Sequence, residues 1–318
     1  MMNYSKTIFL ASLLLAASCT QMENEKEPFP VDEVAMITTK VGGASASGEA
    51  AVSNLQLFVF DSGGKVEIKG SGSSSTIELG CSKGRKTVWA LAGAPELSVE
   101  SEDELLCAAT RLEDNAPGAF VMAGSRSLEV SGPADVDITV KRYVAKVSLG
   151  RIINSLNGAY ASKELVIRGV YLLNVAANTT YGISSPTEWY NRMAKESTPA
   201  DELISRTGLS AVVPSGGSCE LGCVFYPYPN PTQSNANGGL WSERHTKLVV
   251  EAGIGGEICY YPVVLPVLQR NRTYTISDLT LTMFGSDSPD IPIDKGTVEF
   301  NILVEDWETG QDPHSETI

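Results

Sequence analysis

The chain has 318 residues and a formal net charge of −14, from 38 acidic and 24 basic side chains. This charge repels phosphate backbones, so we expect no nucleic-acid partner. The only histidines are His245 and His314, and no Gly-x-Ser-x-Gly elbow, phosphate-binding loop or His-Glu-x-x-His motif occurs. We therefore predict that the protein is not an enzyme, has no catalytic residues and holds no metal or cofactor.

Residues 1–18 have the pattern of a targeting signal. Lys6 precedes an apolar run of about ten residues, which is too short to span a bilayer as a helix. The run ends in Leu15-Ala-Ala-Ser18-Cys19, and small residues before a cysteine resemble a bacterial lipobox. We expect cleavage between Ser18 and Cys19 and acylation of Cys19. An ordinary secretory signal with an unrelated cysteine is the alternative.

Residues 19–30 are expected to be a linker, in which Glu23, Glu25 and Glu27 follow the cysteine closely. Acidic residues at this place resemble a signal for export to the outer face of an outer membrane, and a solvated linker is the alternative. No later run is apolar for long enough to cross a bilayer as a helix, so the lipid would be the membrane anchor.

The cysteines beyond Cys19 do not indicate a disulfide framework. They are Cys81, Cys107, Cys219, Cys223 and Cys259, an odd number. In an extended strand Cys219 and Cys223 would lie about 13 Å apart, whereas a disulfide needs Cα atoms within about 7 Å. We therefore expect these cysteines to act as small buried hydrophobic residues.

Short β-rich runs separated by glycine-rich turns make up most of the chain, which predicts an all-β sandwich architecture. Ser101 and Glu104 form a capping box that predicts one helix, and Glu188–Ala194 is a second, weaker helical stretch. We place a domain boundary near residue 140. The predicted strands are Val34–Val41, Leu55–Phe60, Thr87–Ala92, Val136–Leu149, Leu165–Val175, Cys223–Tyr228, Lys247–Ala252, Ile258–Val267, Tyr274–Met283 and Val298–Val304.

Several segments, taken in order, resemble the fimbrillins, the major fimbrial subunit family of type V pili. Val140–Val147 is the most specific of them, because VKRYVAKV is similar to the family's Arg-x-x-Ala-Arg/Lys segment. Together with the lipobox, the resemblance covers essentially the whole chain. The segments are Asn54–Gly64, Cys81–Gly93, Val140–Val147, Arg270–Ile276 and Val304–Trp307.

The resemblance implies a fold and a mode of assembly. It implies two tandem transthyretin-like β-sandwich domains, at 31–140 and 141–318, in a structural subunit of a cell-surface fimbria that contributes to adhesion. The subunit would reach the surface as an outer-membrane lipoprotein. A trypsin-like protease would then remove the N-terminal segment with its first strand, Val34–Val41. The vacated groove would accept a C-terminal strand from the next subunit.

Processing by such a protease depends on a basic residue near the first strand. The family's polymerising subunits carry an arginine in the loop after this strand, but Gly42–Asn54 contains no basic residue. Lys40, at the end of the strand itself, is therefore the candidate processing site. An uncleaved subunit that keeps its lipid and anchors the base of the fimbria is the alternative.

The candidate donor strand is the run Thr297–Trp307. The alternative is that this run is simply the last strand of the subunit's own sandwich. The candidate donor residues, which alternate along one face, are Val298, Phe300, Ile302 and Val304.

Two further functions stay open beside the fimbrial one. A surface lipoprotein could bind glycans through Trp189, Tyr190, Trp241 and Tyr226, although packing in the interior is the simpler interpretation of aromatic residues. An enzyme could use the carboxylates around Trp307, which are Glu305, Asp306 and Glu308, but we expect them to be a solvated strand end. The expected partners are other fimbrial subunits, the membrane through the lipid, and host or bacterial surface ligands.

Overall fold

The computed structural model describes residues 34–42, 48–234, 240–294 and 296–307. The predicted signal peptide, the linker and the lipidation site at Cys19 lie outside these residues, as does Glu308. Within the described ranges the chain is mostly β-strand, with two short α-helices. The all-β prediction is confirmed.

The N-terminal part folds into two sheets. One has three strands in the order β4-β1-β8, and the other has five in the order β3-β2-β5-β7-β9. A short strand, β6, pairs elsewhere. The bounds are β1 (Val34–Gly42), β2 (Leu55–Phe60), β3 (Val66–Gly72), β4 (Thr76–Ser82), β5 (Gly84–Ala92), β6 (Ala109–Arg111), β7 (Met122–Val130), β8 (Ala134–Thr139) and β9 (Lys141–Arg142).

The C-terminal part repeats this arrangement. One sheet has the order β16-β10-β19-β20, with β21 also on β19, and the other has the order β15-β11-β17-β18. The bounds are β10 (Lys146–Asn154), β11 (Leu165–Leu173), β12 (Val175–Ala176), β13 (Asn178–Thr180), β14 (Trp189–Tyr190), β15 (Ser205–Val213), β16 (Ser218–Phe225), β17 (Lys247–Ile254), β18 (Glu257–Val264), β19 (Arg272–Leu281), β20 (Val298–Phe300) and β21 (Leu303–Asp306).

The first helix, α1 (Glu102–Cys107), begins where the capping box predicts. The side chain of Ser101 accepts a hydrogen bond from the backbone N–H of Glu104 at 3.2 Å. The Glu104 carboxylate accepts from the N–H of Glu100 at 2.8 Å, one residue before the N-cap. The helix therefore starts as expected and ends at Cys107.

The predicted helix at Glu188–Ala194 is wrong. Trp189 and Tyr190 instead form β14, which pairs with β12. Asn191 and Met193 have φ values of 49° and 65°, in the left-handed region that breaks a right-handed helix. The second helix of the described residues is α2 (Asp201–Ile204).

Two predicted strands are interrupted. The run Val136–Leu149 divides into β8, β9 and β10, because Tyr143–Ala145 leaves the N-terminal sheets and enters the C-terminal one. The boundary predicted at residue 140 falls between β8 and β9. The run Val298–Val304 divides into β20 and β21 at Asn301 and Ile302.

The larger of the two hydrophobic clusters in the described residues runs through both parts of the molecule. At the junction, β6 pairs with β13 across the two parts. The Tyr228 hydroxyl, on the C-terminal side, donates to the backbone carbonyl of Arg111 at 2.9 Å. The two parts are therefore joined by packed side chains as well as by the chain.

The motif that ends at Gly93 has a local structural reason. Gly93 has φ +64°, and a Cβ there would lie 2.3 Å from the carbonyl oxygen of Phe120. Only glycine fits this close approach after the buried strand β5.

Candidate assembly site

Strand β1 is the centre of its sheet. It pairs antiparallel with β4, with Ile37 opposite Leu79, and parallel with β8, with Ile37 opposite Ala134. Both edges of the first described strand are therefore hydrogen-bonded. Its removal would leave a gap between β4 and β8 with two open edges.

The side chains of β1 alternate between the core and the surface. Ile37 is fully buried, whereas Met36 is 46% exposed. This period of two is what a strand covered on one face requires. A gap left by β1 would therefore be lined on one side by pockets at every second position. The inward residues are Ala35, Ile37, Thr39 and Val41.

The C-terminal strands β20 and β21 lie at the edge of the C-terminal sheet. Both pair only with β19, whose other edge is occupied by β10. Leu303 and Val304 are 55% and 43% exposed, and Phe300 is 38% exposed. These strands are held by one ladder and bury little apolar surface.

Comparisons with known proteins identify the fold. Residues 34–136, about a third of the chain, match the family model described as major fimbrial subunit protein (FimA). A fimbrilin from Porphyromonas gingivalis superimposes with a TM-score of 0.59 at 15% identity, covering 86% of this chain and 98% of that one. The resemblance to the fimbrillins is confirmed.

Other solved structures share this fimbrillin fold. A candidate cell adhesion protein from Bacteroides eggerthii has a TM-score of 0.64 at 17% identity, covering 86% of this chain and 96% of that one. The tip fimbrial protein Mfa3 from Porphyromonas gingivalis has a TM-score of 0.55 at 14% identity, covering 86% and 100%. At such identities the likeness establishes the fold alone. No curated protein sequence matches the chain.

The matched family is one of fimbrial structural subunits and not of enzymes, in agreement with the prediction from the sequence. Among the carboxylates considered for catalysis, Glu305 and Asp306 are exposed, and Asp306 pairs with Arg272 at 2.8 Å. In the part of the chain that the structure describes, no group of three potential metal ligands and no helix able to span a membrane is found.

Lys40, the candidate processing residue, lies inside a paired strand. Its side chain is exposed, but its backbone is in register with Thr76 of β4 and Asp137 of β8. The N–H of Val41, in the bond that would be cut, donates to the carbonyl of Ser75 at 2.9 Å. A protease could reach this bond only after the end of β1 had separated from its neighbours.

The four candidate donor residues do not form one buried face in the subunit itself. Val298 and Ile302 are half-buried, whereas Phe300 and Val304 are exposed. The interruption at Asn301 prevents continuous alternation. The run is thus an edge strand of its own subunit, and its apolar face is not used fully there.

The aromatic residues considered for glycan binding fall into two groups. Trp189 and Trp241 lie 5.6 Å apart at an interplanar angle of 59°, and the guanidinium of Arg192 is 5.5 Å from the Trp241 ring. Tyr226 is buried against Phe120 at 4.8 Å. The tilted pair does not offer the flat platform on which a sugar ring stacks, and Tyr226 belongs to another cluster.

The cysteines follow the expectation in part. Cys81, Cys223 and Cys259 are buried, and burial raises the pKa of each thiol. Cys107 is exposed and Cys219 is half-buried. All five are free thiols.

Sequence reasoning missed Glu49. It lies in a 3-10 turn, Gly48–Ala50, shortly after β1. Its carboxylate accepts hydrogen bonds from Lys146, Tyr226 and Trp307, which are 97, 177 and 258 residues away in sequence. Burial acts to raise the pKa of Glu49, but these hydrogen bonds and the Lys146 charge hold it below its ordinary value. No local pattern marks such a residue, because every partner is distant.

Proposed function

We propose that the chain is a structural subunit of a cell-surface fimbria that assembles by donor-strand exchange. In this proposal it is exported as a lipoprotein acylated at Cys19, and loss of β1 opens the groove for a neighbouring subunit's strand. The observation that carries the proposal is the position of β1, an N-terminal strand paired on both edges at the centre of its sheet.

The spacing of the C-terminal run suits the groove. Val298 to Val304 presents apolar side chains at every second position, and the inward residues of β1 have the same spacing and are apolar except for Thr39. Burying one such side chain contributes about 1.5–3 kcal/mol, and each ladder hydrogen bond adds about 1 kcal/mol. Four side chains and a ladder would give more than about 10 kcal/mol before the cost of ordering the donor.

The geometry of such a contact produces a filament. A donor at the C-terminus and an acceptor groove at the N-terminus are different surfaces, so the contact is head-to-tail. A head-to-tail contact that does not close into a ring repeats indefinitely. Release of β20 and β21 would leave β19 paired with β10, so the C-terminal sheet would keep its interior strands.

A second function within the fimbria, that of an uncleaved anchor, has support from Lys40. The N–H of the bond after Lys40, that of Val41, donates to the carbonyl of Ser75, and no lysine or arginine follows until Lys65. A subunit that escapes cleavage would keep both β1 and the lipid. It could then give its own C-terminal strand but accept none, which suits the base of a fibre.

The test of these proposals is the N-terminal residue and the lipid content of the protein isolated from cells. A start at Val41 without lipid supports the processed fibre subunit, and an acylated start at Cys19 supports the anchor. A Cys19→Ser variant should lose palmitate incorporation and membrane association. A mature start at another residue, without lipid and with β1 intact, would contradict both versions.

The strand-exchange step has its own test in solution. A chain beginning at Val41 should form head-to-tail polymers visible by electron microscopy, and the chain with β1 intact should remain monomeric. An added peptide with the sequence of residues 34–41 should occupy the groove and block assembly. A trimmed chain that stays monomeric at high concentration and does not bind the peptide would refute donor-strand exchange.

A further inference from the structure

A buried residue follows directly after the C-terminal strand β21. Trp307 is 5% exposed, although Leu303 and Val304 just before it are 55% and 43% exposed. Besides the ladder to β19 and the ion pair of Asp306 with Arg272, this indole attaches the segment to the rest of the subunit. The contacts of Trp307 therefore decide how firmly the strand stays on its own subunit.

The indole lies among residues from both parts of the molecule. The guanidinium of Arg142 is 4.3 Å from its ring centroid, a cation–π contact. Tyr226 stacks on it at 5.8 Å and 20°, and Phe120 meets it edge-on at 5.6 Å and 68°. The end of the candidate donor strand is thus packed at the junction of the two domains.

The carboxylate of Glu49, from the N-terminal part of the chain, accepts hydrogen bonds from this aromatic cluster and from Lys146. Trp307 Nε1 donates to Glu49 Oε2 at 3.2 Å, and the Tyr226 hydroxyl donates to Glu49 Oε1 at 2.7 Å. Lys146 Nζ lies 2.8 Å from each carboxylate oxygen. Each of these bonds involves a charged group, and such hydrogen bonds are the stronger ones.

Hydrogen bonds also hold the backbone of Glu49 and the backbone of Trp307 in place. Arg142 Nε donates to the carbonyl of Glu49 at 2.8 Å. The N–H of Trp307 donates to the carbonyl of Asn271 at 3.1 Å, and Asn271 Nδ2 donates back to the Trp307 carbonyl at 3.4 Å. Arg142 therefore contacts both the Glu49 backbone and the Trp307 ring.

We propose that Glu49 and Trp307 form a clasp that keeps the C-terminal strand on its own subunit until the subunit is processed. The role in assembly rests on the proposed function, whereas the clasp itself does not. Glu49 follows β1 closely in the sequence, since β1 ends at Gly42. Cleavage after Lys40 would leave Glu49 near a free end, and holding it in place would then cost more conformational entropy. One cut would open the groove and loosen the donor.

Hydrogen exchange on the full chain tests the clasp. Glu49→Gln keeps the side-chain shape and removes its charge, and Trp307→Phe keeps an aromatic ring and removes the donor. We expect each to speed exchange of the amides at 303–306 by about tenfold, since each removes a hydrogen bond to a charged group. Exchange in the core strand β11 should not change.

Two matched variants control for the substitutions themselves. Glu96→Gln changes a carboxylate that is 89% exposed and pairs with Lys69 at 3.4 Å. Trp241→Phe removes an indole that donates to Asn174 Oδ1 at 3.2 Å in another cluster. Neither should alter exchange at 303–306. In the variant that combines Glu49→Gln and Trp307→Phe, the amides at 303–306 should exchange no faster than in the faster single variant. The reason is that both substitutions break the same contact, the one between Glu49 and Trp307.

The outcomes separate the clasp from the proposed function. Unchanged exchange at 303–306 in both variants, or an equal increase in β11, overturns the clasp. If Glu49→Gln prevents folding, Tyr226→Phe removes one bond to the same carboxylate and should show a smaller increase. If the clasp variants free the strand but trimmed chains assemble no faster, its role in assembly is wrong. If trimmed chains never assemble although the strand is freed, donor-strand exchange fails and the clasp stands.

Discussion

At the scale of single residues, the structure depends on a few buried charges that no local pattern marks. Lys86 Nζ and Glu67 Oε2 lie 2.5 Å apart, with side chains 4% and 6% exposed. Lys86 also donates to the Ser82 hydroxyl at 2.8 Å, and the Glu67 carboxylate accepts from the Ser82 N–H. Both charges are satisfied only as long as both partners are present.

Breaking this pair from one side should be costly. Lys86→Met leaves the Glu67 carboxylate buried without its cation, and we expect a loss of about 3–5 kcal/mol in the free energy of unfolding. Adding Glu67→Gln should recover a large part of the loss, because no buried charge remains. Urea unfolding of the wild type and the two variants measures this. A double variant as unstable as the single one would contradict the explanation.

The carboxylate of Glu49 should make the junction sensitive to acid. The folded-state pKa of Glu49 lies below its ordinary value of 4.5. Its contribution to the free energy of unfolding is therefore complete above pH 4.5 and is lost as the pH falls through the folded-state pKa. Its charged neighbours are Lys146 and Arg142, and Tyr226 also faces it. None of these side-chain types titrates in acid, so Glu49 is the group that responds.

The measurement is the difference in unfolding free energy between the wild type and Glu49→Gln. The difference should be constant between about pH 6 and 8 and should shrink below about pH 4.5, because a protonated carboxyl resembles the amide. Glu96→Gln, at an exposed position, serves as the reference. A difference that persists undiminished to the acid limit of folding would show that the charge of Glu49 contributes nothing.

At the scale of elements, strands with buried faces could be predicted and exposed ones could not. Leu55–Phe60 is buried at every position and was predicted with its observed bounds. Strand β3 has the sequence VEIKGSG and no buried residue, so its pattern resembles a loop. This segment is a strand because it pairs with β2. Such pairing depends on the tertiary structure and not on the local sequence.

The helix wrongly predicted at Glu188–Ala194 and the unpredicted role of Glu49 both result from contacts between distant parts of the chain. Glu188–Ala194 has helical spacing, but Asn191 donates to the Leu172 carbonyl at 2.9 Å and takes a left-handed conformation. Glu49 and Trp307 are 258 residues apart in sequence and meet only in the folded chain. Contacts between residues this far apart in sequence depend on topology, which a single sequence does not display.

The alternation in β1 makes a prediction for that element. Ile37→Ala should lower the free energy of unfolding by about 2–5 kcal/mol, because a buried side chain is removed from the core. Met36→Ala, at the adjacent position on the outer face, should change it by less than about 0.5 kcal/mol. Thermal or urea unfolding of the full chain tests this. Similar losses at both positions would mean that the outer face is also covered.

At the scale of the whole molecule, the two halves of the proposed assembly site lie on different sheets. Strand β1, whose loss would open the acceptor groove, belongs to the N-terminal sheets, and β20 and β21 lie on a C-terminal sheet. A continuous core joins these sheets. A subunit built this way would transmit tension along the fibre through packed side chains rather than through a flexible linker.

The proposed donor face can be tested with substitutions at two adjacent residues, whose side chains point to opposite faces of an extended strand. Val304 and Leu303 are both exposed, at 43% and 55%, so Val304→Asp and Leu303→Asp should each change monomer stability by less than about 0.5 kcal/mol. In an extended donor, Val304 shares a face with Val298, Phe300 and Ile302, and Leu303 points the other way.

Assembly of chains that begin at Val41 should therefore distinguish the two variants. Val304→Asp places a charge in an apolar pocket of the groove and should abolish polymers. Leu303→Asp places it on the outer face and should leave assembly intact. Light scattering and electron microscopy measure the outcome at equal concentrations. If Leu303→Asp blocks assembly and Val304→Asp does not, the donor strand places the face of Leu303 in the groove. If neither variant affects assembly, the donated strand is another part of the chain.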